Sequence, residues 1–215
     1  MTTPDVILID AGTGNLRSVH KALEAAGARV TRTADPDIVR RGTRLVLPGV
    51  GAFGDFMAGL RSRGLEAAVL EAVSQGAPLL GICVGMQALF EIGEEMGEHR
   101  GLGLLPGRVV AFPPTLREQG LKVPHTGWNF VRWVRENPLR AGLEGGGYAY
   151  FNHSFYCQPA RAADVIAQTD YGFPYASAVQ RGNLLGVQFH PEKSQRVGLR
   201  VLSNFLRWTP TSDAA

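Results

Sequence analysis

Short apolar runs alternate with helix-like segments through the first half of the chain. Residues 6–9 are wholly apolar, and after a glycine-rich loop the apolar positions of residues 16–26 recur at helical spacing up to Gly27. The pattern then returns, with predicted strands at residues 45–47 and 79–82 and predicted helices at residues 65–73 and 86–90. Apolar strands that alternate with helices favour a mainly parallel sheet covered by helices on both faces.

The second half is dominated by strand patterns. Only residues 195–208 are convincingly helical there, with Leu199, Leu202 and Phe205 or Leu206 on the apolar face. No loop is long enough to separate two cores, so we expect residues 1–215 to form one α/β domain in which antiparallel strands extend one side of the sheet and residues 210–215 form a flexible tail. The predicted strands of this half are residues 109–112, 130–134, 148–156, 165–169, 176–179 and 184–189.

Composition narrows the class of protein. The 215 residues are 45% hydrophobic and 19% charged, which is typical of a folded domain, and a net charge of +3 is too small and too dispersed for a nucleic-acid partner. The two cysteines, Cys83 and Cys157, supply neither a disulfide framework nor zinc-ligand spacing, so we expect no metal. The first apolar run is too short for a signal peptide or a membrane span, and the cytoplasm is the expected location.

Cys83 lies where a predicted strand meets a predicted helix, within residues 81–85 (Gly-Ile-Cys-Val-Gly). Glycines on both sides permit a sharp turn that exposes the side chain, and the backbone N–H groups that follow can stabilise an anion. A helix N-terminus also favours the thiolate form of a cysteine. A buried core thiol is the alternative interpretation. The Gly-x-Cys-x-Gly pattern favours a nucleophile.

A base for this thiol follows the last predicted strand. His190 precedes Pro191, which favours an extended backbone, and Glu192 comes two residues after His190. If the chain stays extended, both side chains lie on one side, and Glu192 can orient the imidazole while His190 takes the thiol proton. The carboxyl ends of parallel strands meet at one edge of the sheet, which brings Cys83 and His190 together. The sequence thus predicts a Cys-His-Glu triad.

These motifs resemble those of class I glutamine amidotransferases, through residues 81–87 (Gly-Ile-Cys-Val-Gly-Met-Gln) and 190–192 (His-Pro-Glu). Further segments are similar to those of the glutaminase subunits of imidazole glycerol phosphate synthases. They are residues 10–16, residues 47–53 (Leu-Pro-Gly-Val-Gly-Ala-Phe), residues 123–129 (Val-Pro-His-Thr-Gly-Trp-Asn), residues 150–156 (Tyr-Phe-Asn-His-Ser-Phe-Tyr) and residues 190–195 (His-Pro-Glu-Lys-Ser-Gln). The resemblance implies a flavodoxin-like fold and no cofactor.

The resemblance also implies a reaction. Cys83 would attack the side-chain amide of glutamine, release ammonia and leave a glutamyl thioester that water converts to glutamate. The oxyanion would be held by the N–H of Val84 and by an N–H of the turn at residues 48–51, at Val50 or Gly51. Gln87, Glu95, Ser154 and Phe155 match residues that hold the substrate. For Glu95, an ordinary solvated acidic turn is the alternative interpretation.

A partner is expected because ammonia is mostly protonated in neutral water and would diffuse away. Relatives pair with a cyclase subunit of (βα)₈-barrel fold, which forms imidazole glycerol phosphate and aminoimidazole-carboxamide ribonucleotide in histidine biosynthesis. The resemblance implies that the chain and the cyclase form a heterodimer. Four residues are expected at or near the interface between them: Asn15, Trp128, Asn129 and Lys193. Trp128 is also compatible with a place in the core.

Two rival functions remain open at this level. The first is a glutaminase that serves another acceptor, such as anthranilate, pyridoxal phosphate or guanylate synthesis, which the Gly-Trp-Asn and Lys-Ser-Gln segments disfavour. The second is a non-catalytic scaffold, which the joint presence of Cys83, His190 and Glu192 disfavours. Because flexible glycines flank the oxyanion position, we expect the free chain to be nearly inactive without its partner.

Overall fold

Five parallel strands form the centre of the sheet. The computed structural model describes residues 3–210. Across this centre the strand order is β2-β1-β3-β4-β13, and every neighbouring pair is parallel. The last three of these strands are buried along their whole length, as expected for strands covered on both faces. The five are β1 (Asp5–Ile9), β2 (Arg29–Thr33), β3 (Leu45–Gly49), β4 (Leu79–Cys83) and β13 (Leu184–Val187).

Two groups of helices cover this centre. One helix of the first half packs against the C-terminal helix, and the other three pack together. The chain crosses from β1 to β2 in one direction and from β2 to β3 and β4 in the other, which puts the two groups on opposite faces of the sheet. The first group is α1 (Leu16–Ala25) and α7 (Gln195–Arg207); the second is α2 (Pro36–Arg40), α3 (Phe53–Ser62) and α4 (Leu65–Ser74).

Antiparallel strands extend one side of the centre, as the sequence predicts. From β13 the sheet continues through β12, β10 and β7 with antiparallel pairing, and then through β5 and β6. The pair of β5 with β7 is parallel. These strands are β5 (Phe90–Gly93), β6 (His99–Arg100), β7 (Leu105–Ala111), β10 (Phe155–Pro159) and β12 (Pro174–Arg181).

A second branch leaves the sheet at β12. It runs through β11 (Val165–Asp170) to β8 (His125–Trp133) and then to β9 (Gly147–His153), all antiparallel. We call the last pair the β8–β9 ribbon. The remaining helices are short: α5 (Val84–Gln87), α6 (Thr115–Glu118) and 3-10 turns at Pro138–Arg140, Ala162–Asp164 and Pro191–Lys193.

The C-terminal helix differs from its prediction at one position. Leu202, Phe205 and Leu206 are buried as expected, but Leu199 is 40% exposed. The buried face instead contains Gly198, where an added Cβ would lie 1.8 Å from the carbonyl oxygen of Pro191. Leu199, the next residue, lies at the edge of the buried face. Of the predicted tail, residues 211–215 lie outside the described part of the chain.

Several predicted boundaries are wrong. The helix predicted at residues 86–90 is the single turn α5, and Phe90 already begins β5. The strand predicted at residues 148–156 is two strands, divided at Ser154, where the chain passes from the ribbon to the main sheet. Apolar runs of this length do not distinguish a strand from a buried helix, which explains the first error. The structure also contains β2, α2 and α3, which the sequence pattern did not reveal.

Within residues 3–210, no helix has both the length and the apolar character that a membrane span requires.

Candidate active site

Cys83 sits at a sharp turn between β4 and α5. Its backbone has φ 54° and ψ −113°, outside the regions that non-glycine residues usually adopt. The turn depends on its neighbours, because a Cβ on Gly85 would lie 1.8 Å from the carbonyl oxygen of Leu47, and one on Gly81 would lie 2.5 Å from that of Gly85. The two glycines let α5 start directly against β3, so the predicted elbow is present.

His190 and Glu192 meet. His190 itself is extended, as Pro191 favours, but the chain does not stay extended beyond it. The 3-10 turn Pro191–Lys193 follows His190, and its curvature brings the Glu192 carboxylate back, with 2.9 Å between His190 Nδ1 and Glu192 Oε1. The ribbon holds this turn in place. His190 donates its backbone N–H to the Tyr150 carbonyl at 2.9 Å, and Ser194 Oγ accepts from Tyr150 N–H at 3.0 Å while donating to the His190 carbonyl at 2.6 Å.

His190 contacts the Glu192 carboxylate and lines the same cleft as Cys83. Since Nδ1 faces Glu192, Nε2 is the nitrogen available to Cys83. Burial by itself lowers the pKa of His190, but hydrogen bonds to Cys83 and Glu192, together with their charges, raise that pKa to about 10. The Glu192 side chain is only 1% exposed, so the interaction is shielded from solvent. The arrangement favours a protonated imidazole between the sulfur and the carboxylate.

A cleft of about 230 Å³ opens beside the thiol. It is bounded on one side by the loop after β3 and on the other by the junction of β9 and β10 at Ser154. Pro48 and Gly49, predicted as part of that loop, belong to β3 instead, and Gly49 pairs with Cys83. The lining includes the predicted residues Val50, Gly51, Cys83, Val84, Gln87, Glu95, Ser154, Phe155, His190 and Lys193.

Gln87 and Glu95 reach the cleft by different routes. Gln87 projects from α5, is 3% exposed, and donates through Nε2 to the Phe155 carbonyl at 3.2 Å and to Gln188 Oε1 at 3.1 Å. Glu95 follows β5 and accepts the backbone N–H of Phe53, at the start of α3, at 2.8 Å. Glu95 is half-buried at the cleft while its neighbour Glu94 is exposed, which favours a place in the site over a solvated turn.

The four residues expected at the partner interface are spread over three elements. Trp128, on β8, is 48% exposed and is therefore not a core residue. Its ring contacts Tyr150 edge-on, and Lys193 Nζ lies 5.4 Å above the centre of the same Tyr150 ring. Asn129 points to the other face of β8, where its side chain is hydrogen-bonded within the protein. Asn15 is half-buried at the N-terminus of α1, a helix that packs against the turn containing Lys193.

Sequence reasoning missed several residues of the site. Pro124 and Asn152 line the cleft, and Gln188 donates through Nε2 to Cys83 Sγ at 3.8 Å. Gln188 could have been found, because it follows the last parallel strand two residues before His190. The ring of Tyr150 contacts both Trp128 and Lys193. Tyr150 belongs to one of the quoted motifs, but nothing in the sequence indicated a role for it. Among residues 3–210, no group of three or more His, Cys, Asp or Glu side chains is placed to hold a metal ion.

Comparison with known proteins assigns the class. The family model described as glutamine amidotransferase class-I matches residues 7–208. A solved structure described as a glutamine amidotransferase has a TM-score of 0.73 at 21% identity, and covers 93% of this chain and 96% of its own. PurLQS from Thermotoga maritima has a TM-score of 0.75 at 19% identity, with 95% and 98% covered. The chain is a class I glutamine amidotransferase, and the fold predicted from its motifs is confirmed.

Relatives at higher identity define the family more narrowly. The imidazole glycerol phosphate synthase subunit HisH of Methylococcus capsulatus is 52% identical over 213 residues, which are 96% of this chain and 98% of the relative. The HisH subunit of Syntrophotalea carbinolica is 50% identical over 202 residues, 93% of this chain and 98% of the relative. Within its class, the chain belongs to the HisH family, and the resemblance drawn from the motifs is confirmed.

Proposed function

We propose that this chain hydrolyses L-glutamine to glutamate and ammonia with Cys83, His190 and Glu192, and passes the ammonia to a cyclase subunit. The observation that carries the proposal is that Cys83 and His190 line the same cleft of about 230 Å³, with His190 Nδ1 hydrogen-bonded to Glu192 Oε1. Membership of the HisH family supports the same activity. The free thiols of Cys83 and Cys157 suit the reducing cytoplasm, which is the compartment we propose.

The first half-reaction forms the thioester. Cys83 Sγ attacks the side-chain carbonyl carbon of glutamine, and the proton of the thiol resides on His190. The carbonyl oxygen becomes an oxyanion, for which the N–H of Val84 and an N–H at Val50 or Gly51 are the proposed donors. When the C–N bond breaks, His190 returns the proton to the leaving nitrogen, so ammonia departs as a neutral molecule.

The second half-reaction restores the enzyme. Neutral His190 takes a proton from water, and the hydroxide attacks the thioester carbonyl through the same oxyanion geometry. The C–S bond breaks, glutamate leaves, and the proton returns to the Cys83–His190 pair. Glu192 keeps its charge throughout and holds the imidazole in one orientation. Glutamine and water are thus converted to glutamate and ammonia without a cofactor.

Four residues are proposed to hold the amino-acid end of glutamine. The carboxylate of Glu95 suits the ammonium group, and its hydrogen bond to Phe53 N–H fixes it at the cleft. Gln87 donates both N–H groups within the protein, so its Oε1 is left to accept from the substrate. The backbone at Ser154 and Phe155 lines the opposite wall.

The outer face of the β8–β9 ribbon is the proposed docking surface for the cyclase. Strand alternation puts Trp128, Phe130, Tyr148 and Tyr150 on one face, where they pair across the two strands. Tyr148 is 61% exposed, and Lys193 lies against Tyr150 beside the cleft. Exposed aromatic residues of this kind are typical of interface anchors. Docking here would cover the route by which ammonia leaves the cleft and would help retain it.

Labelling of the nucleophile tests the triad. A glutamine analogue with an electrophilic diazoketone should alkylate Cys83 in the complex with the cyclase, as read by peptide mass mapping. Cys157 is the internal control, because it is fully buried and burial raises the pKa of its thiol well above the ordinary value. His190→Asn should slow labelling at least tenfold. A label on Cys157 alone, or equal labelling of the His190→Asn chain, would refute the proposed roles.

A further inference from the structure

Two histidines that take no part in the proposed reaction lie buried beside the cleft. His125 and His153 project from the inner face of the β8–β9 ribbon, and both contact the hydroxyl group of Tyr175 on β12. His125 Nδ1 and His153 Nε2 each lie 3.2 Å from Tyr175 Oη. Tyr175 is 3% exposed, so its hydroxyl joins the two imidazoles out of contact with solvent.

A backbone carbonyl at one end fixes the direction of these hydrogen bonds. His153 Nδ1 lies 2.7 Å from the Phe155 carbonyl oxygen, which can only accept, so Nδ1 carries the proton. The neutral Nε2 then accepts from the Tyr175 hydroxyl, and the Tyr175 oxygen accepts from His125 Nδ1–H. His125 Nε2 is left as an acceptor, and Asn129 Nδ2 donates to it at 3.3 Å.

The direction of the hydrogen bonds is also fixed at the Asn129 end of the series. Asn129 Oδ1 accepts the N–H of Phe130 at 2.7 Å, and Nδ2 also donates to the Asp170 carbonyl at 2.8 Å, so the amide has one possible orientation. Burial lowers the pKa of His125 to about 4 and that of His153 to about 3, which leaves both rings neutral near pH 7. All four side chains therefore donate and accept in one direction, from Asn129 towards Phe155.

The series ends at the Phe155 carbonyl, which also holds a side chain that lines the cleft. The Phe155 carbonyl accepts from Gln87 Nε2 as well as from His153, and the second N–H of Gln87 goes to Gln188 Oε1. Gln188 in turn donates to Cys83 Sγ. Movement of the Phe155 carbonyl would thus alter the orientation of the Gln87 amide, whose oxygen faces the proposed substrate.

We propose that Tyr175 is a positioning residue for glutamine: its hydroxyl, held between His125 and His153, sets the place of the Phe155 carbonyl and, through it, of the Gln87 amide. This inference rests on the proposed glutaminase function. Tyr175 acts on the substrate only through the Phe155 carbonyl and the Gln87 amide. Removal of its hydroxyl group therefore affects the binding of glutamine more than the breaking of the amide bond.

Tyr175→Phe tests the role by removing the hydroxyl and keeping the ring. In the complex with the cyclase, KM for glutamine should rise about fivefold, as for one lost hydrogen bond, while kcat stays within about twofold. Tyr171→Phe is the matched control, since its ring stacks on His125 but its hydroxyl donates to the Lys122 carbonyl outside the series. An unchanged KM in Tyr175→Phe, or an equal rise in both variants, would overturn the proposal.

A second readout does not depend on enzymatic activity. Nitrogen-15 NMR of histidine-labelled protein should show His125 and His153 as neutral Nδ1–H tautomers, and Tyr175→Phe should shift the Nε2 signal of His153. An Nε2–H tautomer at His153 would overturn the series even if KM changed. Absence of glutamine hydrolysis by the unmodified complex would refute the proposed function instead, while the tautomers would still test the hydrogen-bond series.

Discussion

At the scale of single residues, the site depends on a backbone conformation that only its surroundings can stabilise. Cys83 has a positive φ, and such conformations of non-glycine residues cost about 1–3 kcal/mol. Close packing around the turn offsets this cost, because Gly81 and Gly85 allow β4, α5 and β3 to pack without intervening side chains. The strained turn places Cys83 at the cleft that His190 also lines.

The protonation of His190 is the most direct electrostatic consequence. Because the pKa of His190 is raised to about 10, its ring should stay charged at pH 8 and titrate well above the ordinary value of 6.5. Glu192→Gln removes one of the charges responsible and should lower the midpoint. NMR of the His190 ring over pH 5–11 measures it, with Glu136→Gln, an exposed carboxylate, as the control. A midpoint near 6.5 in the unmodified chain would contradict the assignment.

The contact between α5 and β3 can be tested by substitution. Gly85→Ala would push a Cβ to within 1.8 Å of the Leu47 carbonyl, so α5 must move away from the strand. We expect a loss of about 3 kcal/mol in the free energy of unfolding, measured in urea, and loss of glutaminase activity. Gly145→Ala is the control, because an added Cβ there meets nothing within 4 Å. Equal stability of the two variants would show that the close approach is not required.

At the scale of elements, the β8–β9 ribbon has two distinct faces. Its outer face carries the exposed aromatics Trp128, Phe130 and Tyr148, and its inner face buries His125 and His153 against aromatic side chains. Strand alternation alone produces this division. One element therefore supplies both the proposed docking surface and a wall of the cleft, so that partner binding there would be linked to the geometry of the active site.

The buried imidazoles make stability depend on pH. Burial lowers the pKa of His125 to about 4 and that of His153 to about 3, whereas the unfolded chain binds these protons from about pH 6.5 downward. The contribution of these two rings to stability should thus be complete above pH 6.5 and fall by a few kcal/mol towards pH 4. Urea unfolding at pH 7.5 and 4.5 measures the loss, which should be smaller in His125→Gln and unchanged in His20→Gln, a partly exposed position on α1. The same loss in all three proteins would contradict this explanation.

At the scale of the whole molecule, the carboxyl ends of β3 and β4 and the segment after β13 converge on one cleft. Four of the five parallel strands and the helices α1, α4 and α7 were predictable, since apolar runs and helical spacing are local properties of the sequence. The proximity of Cys83 to His190 also followed from parallel topology. The Pro191–Lys193 turn was not predictable, because a proline that begins a 3-10 turn and a proline in an extended chain both favour an extended residue before them.

Burial of individual side chains was harder to predict than their elements. Trp128 was compatible with core or surface until pairing with β9 put it on the outer face of the ribbon. The part played by Tyr175 arises from contacts between β12 and the ribbon, which are distant in sequence. Such contacts leave no trace in local spacing, so the positioning series could emerge only from the structure.

The proposed docking face of the β8–β9 ribbon leads to a prediction about the affinity for the cyclase. Trp128→Ala and Tyr148→Ala each remove an exposed aromatic ring from the proposed docking face, and each should weaken binding of the cyclase about tenfold. Titration calorimetry measures the affinity. Met96→Ala is a suitable control, since Met96 is 89% exposed but lies away from the ribbon, after β5. An unchanged affinity in both aromatic variants would show that the cyclase does not bind at this face of the ribbon.

The measurement that tests the central claim most directly is release of glutamate from glutamine by the purified chain, alone and with a cyclase subunit and its ribonucleotide substrate. We predict little glutamate from the chain alone, strong stimulation in the complex, and loss of that activity in Cys83→Ala but not in Cys157→Ala. Vigorous hydrolysis without the partner would contradict the predicted coupling. Activity that survives in Cys83→Ala, or no activity in any mixture, would contradict the proposed triad.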